Sequence, residues 1–137
     1  MIDQSEDWLP FDTKSIAREE SIVTEQPCLF CRIVDGEIPS EQVGETDQAL
    51  AFRDVDPKAP THILVIPKVH VATLPELAAS HPDAAAAMLT LARQAAADDG
   101  VGDAYRLVCN NGAQVGQSVF HAHLHVLGGR PMTWPPG

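Results

Sequence analysis

The sequence is short of basic charge. Nine Lys and Arg stand against nineteen Asp and Glu, a formal net charge of −10 at pH 7. Proteins that hold nucleic acid through its phosphates carry a basic footprint. This surface repels a polyanion, so no nucleic acid polymer is expected as a partner. A small anion in a local pocket stays open, because backbone N–H groups and a few side chains suffice to hold one. Aromatics are also scarce: two Trp, one Tyr and four Phe, thin for a platform that stacks single-stranded bases. Long apolar runs are missing. The longest uninterrupted one spans Ala84 to Leu89, against the roughly 20 residues of a membrane helix, so no membrane partner is expected. The first ten residues, MIDQSEDWLP, hold neither a basic nor an apolar stretch, and no secretory signal is expected. Three cysteines cannot all pair. Together these point to a reduced, cytoplasmic setting.

What remains is the composition of a globular chain: 137 residues, 45% apolar and 20% charged, enough for one domain with a real core. Residues 1–27 stand apart. They carry seven acidic and two basic residues, half of the net charge, and show neither helical nor strand periodicity. They read as an acidic N-terminal extension that Trp8, Leu9 and Phe11 would anchor. From Pro27 onward the pattern tightens. LFCRIV reads as one or two helical turns stopped by Asp35-Gly36. Residues 41–46 and 48–55 alternate as two strands. THILVIPK is the clearest β signal, a continuous apolar run suited to a central strand covered on both faces.

A long helix is expected over Ala84 to Ala97, with Ser80 as N-cap, Pro82 in the first turn and Asp83 completing a capping-box-like start. Met88, Leu91, Ala92 and Ala95 share one face, and Gly100 is the natural stop. Two further strands are read over 105–109 and 118–127, joined by the turn-rich NNGAQVGQ. Sequence-adjacent strands with one substantial helix give an α+β class with an antiparallel sheet.

Three of the six histidines fall within five residues: His121, His123 and His125. On a strand, alternate side chains share a face, so the three imidazoles would project one way in steps of about 6.5–7 Å. Ala122, Leu124 and Val126 would then point into the core. Buried imidazoles without a use are costly. Two uses compete. Three histidines can ligate zinc, or a neutral imidazole can act as a nucleophile at phosphorus beside neighbours that hold anionic oxygens. The preceding loop favours the second use. Gly112 and Gly116 permit close backbone approach to an anion, Ser118 brings a hydroxyl and Asn110 an amide. Cys28 and Cys31 form a Cys-x-x-Cys, half of a metal site or a redox pair. Cys109 reads as a small buried hydrophobe.

HAHLHVL, residues 121–127, resembles the His-φ-His-φ-His-φ-φ signature of the histidine triad (HIT) superfamily. The likeness extends to CLFCRIVDGEIPS, LAFRDVDPKAPTHILVIPKVH, YRLVCNNG, GQSVFHAHLHVLGGR and the terminal WPPG, which are similar to the HINT branch of nucleoside phosphoramidases. It covers about residues 28–137, taken as the HIT domain, and leaves 1–27 uncovered. The resemblance implies a HIT-like fold: an antiparallel sheet of about five strands, one long helix and one short N-terminal helix per subunit. It implies that His123 is the nucleophile, that His125 contacts a nonbridging phosphate oxygen, and that Ser118 sits beside the leaving group. Gly116 and Gln117 would lie on the phosphate side, with Asn110 supporting them. Asp54 would hold the ribose hydroxyls, and Phe30, Ile33, Ile38, Phe52 and Val55 would surround the purine. His62 would stand behind the triad as a hydrogen-bond partner.

The resemblance also implies a structural zinc on Cys28, Cys31, His70 and His121, with no cofactor needed for the chemistry. A homodimer is implied, in which the tail GGRPMTWPPG reaches towards the partner, Trp134 serving as an anchor. The expected activity is hydrolysis of the P–N bond of purine nucleoside phosphoramidates through a nucleotidyl-histidine intermediate. A dinucleoside polyphosphate hydrolase and a non-catalytic nucleotide-binding module are the alternatives. A zinc hydrolase built on the three histidines needs an acidic general base nearby, and the triad segment holds none.

Overall fold

The computed structural model describes residues 28–137. The acidic stretch 1–27, with its expected anchors Trp8, Leu9 and Phe11, lies outside the described residues. In chain order the elements are α1 (Leu29–Val34), β1 (Gln42–Glu45), β2 (Ala49–Arg53), β3 (Thr61–Pro67), α2 (Leu74–Ser80), α3 (Pro82–Asp98), β4 (Tyr105–Val108), a short 3₁₀ turn (Ala113–Val115) and β5 (Leu124–Gly128). The five strands form one antiparallel sheet in the order β1-β2-β3-β5-β4. This is the α+β class read from the sequence.

β3 is central and every one of its residues is buried. Its side chains alternate between two layers. Ile63 and Val65 join Leu124, Val126 and the α3 residues Met88, Leu91, Ala92 and Ala95 in the larger core. Leu64 and Ile66 turn to the other face and pack with Leu50, Phe52 and the α1 residues Phe30 and Ile33. The continuous apolar run of β3 thus serves two cores at once, the pattern of a strand covered on both sides. A clip fastens the end of α3 to the sheet. Arg53 donates twice to Asp99 (2.6 and 3.2 Å), and Thr61 donates its hydroxyl to the same carboxylate at 2.5 Å. Those donors, Arg53 first, hold the Asp99 carboxyl below the usual carboxylate range.

Two expectations need correction. Ser80 does not cap α3. It is the last residue of a separate helix, α2, and donates its hydroxyl to the Glu76 carbonyl at 2.9 Å. α2 has its own start, in which the Thr73 hydroxyl accepts from the Glu76 N–H at 3.4 Å. Pro82 then separates the two helices, because a proline bars the preceding residue from helical backbone; His81 sits at φ −139°, ψ 67° and caps α3 without a side-chain bond. The end of α3 is as expected, with Gly100 at φ 82° supplying the left-handed stop.

The second correction concerns the histidine segment. The strand runs from Leu124 to Gly128 rather than 118–127. The β3–β5 ladder stops at Val65↔Leu124. Beyond it, the Pro67 carbonyl is taken by the His121 ring (2.7 Å), and the Ala122 N–H turns to the Val71 carbonyl (2.7 Å). Those bonds end the ladder before His123, so His121 and His123 precede the strand, while the His121 and His123 rings both pack on Phe30 of α1 and His123 meets His125 on that same face.

Ile63, with none of its surface exposed, gives the test of the larger core. Ile63→Ala is expected to cost about 2–5 kcal/mol, read as a lower urea midpoint; a change below about 1 kcal/mol contradicts the packing described.

Candidate active site and metal centre

The face of the sheet that carries α1 also carries the chemistry. Leu124 and Val126 point into the α3 core, so His125 between them faces the other way, opposite Leu64 of β3. His62, two residues before Leu64, lies on that same face. The His62 Nε2 and His125 Nδ1 atoms are 2.9 Å apart, and Asp54 Oδ2 is 3.4 Å from the same His62 nitrogen.

Backbone groups assign the tautomers of this cluster. The Lys58 N–H donates to His62 Nδ1 at 3.0 Å, so the proton of His62 sits on Nε2. That N–H donates to His125 Nδ1, which leaves His125 with an Nε2–H to offer outward. The Asp54, His62 and His125 donor atoms lie within 4.8 Å of one another. A cation there would need the His62 Nε2 lone pair, which the Lys58 contact leaves protonated. The His62–His125 contact is the hydrogen bond of this trio, and the Asp54 carboxylate stands beside the same N–H.

His123 is fixed in the same manner. Its Nδ1 is 2.8 Å from the His121 carbonyl and donates to it, so the Nε2 lone pair is free. The ring is almost fully buried. It meets the His125 ring at a centroid distance of 5.1 Å and the edge of Phe30 at the same distance.

Beside these rings lies a pocket of about 220 Å³ lined by α1 residues Leu29, Phe30 and Ile33, with Ile38, Phe52 and Asp54. Val55 stands fully exposed at its rim. The structure therefore brings Phe30, Ile33, Ile38, Phe52, Asp54 and Val55 together, as the sequence reading grouped them. Leu29, Arg53 and Leu64 also line the space, beyond the residues the family pattern implies. Their sequence signal was only that of core or surface. Ser40 adds a buried hydroxyl with no partner among the described residues.

The loop before the triad is placed less fully. Gly116 (φ 107°) needs left-handed backbone, and a Cβ there would stand 3.7 Å from the Asn110 side-chain nitrogen. Ser118 is exposed in the segment between the 3₁₀ turn and His121. Gln117 is turned inward. Its amide donates to the Ala72 and Val119 carbonyls (2.7 and 3.2 Å) and accepts from the Gly112 N–H (2.8 Å). Its side chain is spent on shaping the loop.

A second cluster sits on the far side of His121. The ring Nε2–H donates to the Pro67 carbonyl, so the Nδ1 lone pair points the other way. Around it are Cys28 Sγ and Cys31 Sγ, each at 3.5 Å, and His70 Nδ1 at 3.2 Å; Cys31 Sγ is 3.3 Å from His70 Nδ1. In a tetrahedral zinc site with Zn–S of about 2.3 Å and Zn–N of about 2.0–2.1 Å, the sulfur-to-nitrogen edges come to about 3.5 Å and the nitrogen-to-nitrogen edge to about 3.3 Å. The four separations given lie within about 0.3 Å of those edges, and two thiols with two imidazoles are a donor set that fits zinc. Without a cation, burial and the neighbouring Cys28 push the Cys31 thiol up to about 11; a divalent ion reverses that preference and holds thiolates. The Cys109 thiol is raised by burial and belongs to neither cluster.

Burial pushes His125 down to about 4, with His123 and His62 adding to the effect. Burial also lowers His62. Both imidazoles are neutral at pH 7. An unfolded imidazole titrates near about 6.5, so the unfolded chain gains protons below that pH which the folded chain refuses. The stability is fully present above about pH 6.5 and falls as the pH drops towards 4. Between pH 7.5 and 5.5, above the ordinary carboxylate range, the urea midpoint of the wild type is expected to fall more than that of His125→Asn. Equal falls contradict the assignment.

Comparisons with known proteins agree with this geometry. A profile of the HIT domain matches residues 35–132. The 14 kDa zinc-binding protein of Zea mays is 45% identical over 115 residues, covering 82% of this chain and 90% of that protein. The Arabidopsis thaliana protein named Adenylylsulfatase HINT1 is 43% identical over 116 residues, covering 83% of this chain and 79% of its own. The crystal structure of a HIT family hydrolase from Legionella pneumophila superposes with a TM-score of 0.77 at 49% identity, over 81% of this chain and all of that one. With its triad at residues 121–125 and its five-stranded antiparallel sheet, the chain belongs to the HIT family.

Proposed function

We propose that the protein is a purine nucleoside phosphoramidase, cleaving the P–N bond of substrates such as adenosine phosphoramidate or adenylylated lysine. The observation that carries the reading is the His123 ring, whose Nδ1 stands 2.8 Å from the His121 carbonyl, so that the neutral imidazole turns its N–H to that carbonyl and its Nε2 lone pair outward. The Nε2 lone pair attacks the α-phosphorus and the P–N bond breaks, the leaving nitrogen departing as an amine with a proton drawn from solvent, which the attacking water of the next step returns. The ring gains positive charge in the adduct, which the carbonyl on Nδ1–H stabilises. Water then attacks phosphorus, the P–N bond to His123 breaks, and a nucleoside monophosphate leaves with the neutral imidazole restored. His125 offers its Nε2–H to a phosphate oxygen. Ser118 serves the leaving group. Gly116, with Asn110 and Gln117 shaping the loop, lies on the phosphate side.

The purine occupies the pocket of Phe30, Ile33, Ile38, Phe52 and Val55, whose size suits one ring system. Asp54 takes the ribose hydroxyls, a pair of donors that one carboxylate accepts well. His121 and His62 hold the two working histidines in place. The Arabidopsis relative's printed name favours a second leaving group on the same phosphorus, sulfate. A zinc ion on Cys28, Cys31, His70 and His121 is structural in this reading. Zinc is expected near one per chain in untagged protein by elemental analysis; less than about a tenth removes it.

The protein is also proposed to be a homodimer. Among the described residues β4 is an edge strand with β5 on one side only, and an edge is a ready template for pairing with another strand. Leu107 on it is 39% exposed and Trp134 in the tail is 81% exposed. Light scattering is expected to give twice the chain mass; the single-chain mass overturns this.

AMP release from adenosine phosphoramidate at saturating substrate tests the chemistry. His123→Ala is expected to lose at least about 1,000-fold in turnover while still binding AMP. Asp54→Ala is expected to raise KM with a smaller effect on kcat. An active His123→Ala removes the mechanism, and an Asp54 variant that binds AMP as tightly as wild type removes the ribose assignment.

A further inference from the structure

The helix α1 has two tasks that interleave along six residues. Leu29, Phe30 and Ile33 line the apolar pocket, while Cys28 at its N-cap and Cys31 within it supply the sulfur donors of the metal cluster. A helix this short has little stability of its own. Cys28 makes no capping bond to it, and of its residues only Phe30 and Ile33 are buried. The other two donors, His70 and His121, stand on segments fixed to the sheet: His121 by the Pro67 carbonyl and by the Ala122–Val71 bond. A cation shared by all four donors therefore ties α1 to the end of the sheet at both sides of Phe30.

Phe30 carries that tie to the pocket. Its ring meets His121 edge-on at 5.9 Å, His123 at 5.1 Å and Phe52 at 5.8 Å. One ring thus touches a metal donor, the free-nitrogen imidazole and the opposite pocket wall.

We propose that Cys28 and Cys31 are positioning residues for the nucleotide pocket, so that zinc and a purine nucleotide bind with positive coupling through α1. The inference rests on the nucleotide reading given above. Two states of α1 carry the coupling. Zinc binds only where the sulfurs reach His70 and His121, and the base packs only where Phe30 and Ile33 close the pocket, which is the same position of the helix. Each ligand therefore removes the ordering cost that the other would meet, and linkage makes the effect reciprocal.

The test uses the full chain and has two readouts, neither of them turnover. The first is the AMP dissociation constant by calorimetry for zinc-loaded and chelator-stripped protein, with far-UV circular dichroism to follow the fold. The second is the rate at which zinc passes from loaded protein to a chromophoric chelator, with and without saturating AMP. Zinc removal is expected to weaken AMP binding about fivefold or more, and AMP to slow zinc loss by a similar factor. In Phe30→Leu, zinc is still held and AMP no longer slows its loss. AMP that binds loaded and stripped protein alike, or that binds without slowing zinc loss, overturns the coupling and leaves the nucleotide reading standing. Loaded protein that binds no AMP overturns that reading and the coupling with it.

Discussion

The bond from the His121 ring to the Pro67 carbonyl is the joint on which the site depends. Pro67 closes the central strand and its carbonyl would otherwise continue the ladder to β5. Because the imidazole occupies it, residues 121–123 leave the sheet. That departure turns the His121 carbonyl towards His123 Nδ1 and the other His121 ring nitrogen towards two sulfurs and a second imidazole. One residue thus terminates a strand, sets the tautomer of its neighbour and completes a donor set.

The sheet divides labour between its faces. On one, the 17-residue α3 covers Ile63, Val65, Leu124 and Val126 with small and medium apolar side chains, and the Arg53–Asp99–Thr61 clip secures its end. The cluster buried there is apolar throughout. On the other face the cover is the six-residue α1, and the side chains beneath it include His62, His123 and His125. The strands are thus anchored by the face that carries no chemistry. The imidazoles gain fixed positions without having to supply the core's stability. The short cover leaves room for a pocket, and it also leaves α1 dependent on its side-chain anchors.

The acidic surface and the neutral site are compatible for a physical reason. A chain of net charge −10 repels anions at long range, but screening limits that field to about 8–10 Å at physiological salt. Within the site the proposed anion contacts are N–H donors at short range, in a buried setting where each is worth more than in water. Neutral imidazoles, each with one nitrogen committed to the protein, suit that task. A charged cluster would cost more to bury.

Composition and periodicity determined much of this protein: the α+β class, the central strand, the face of α3, and the gathering of histidines in one segment. Those features follow from residue type at short spacing, which the chain carries explicitly. The pocket residues Phe30, Ile33, Ile38, Phe52 and Asp54 were also legible, through the family pattern in which they sit. The second short helix starts on Thr73-Leu74-Pro75-Glu76, a capping signal only four residues long, and Ser80 has the residue type of a cap although it is an end. The rest was decided by contacts between residues far apart in the chain. Where β5 begins depends on Pro67 meeting His121, and the tautomers depend on the Lys58 N–H and the His121 carbonyl. Backbone groups have no letter in a sequence, so the proton on each imidazole, and with it the free nitrogen of His123, became definite only when the chain had folded.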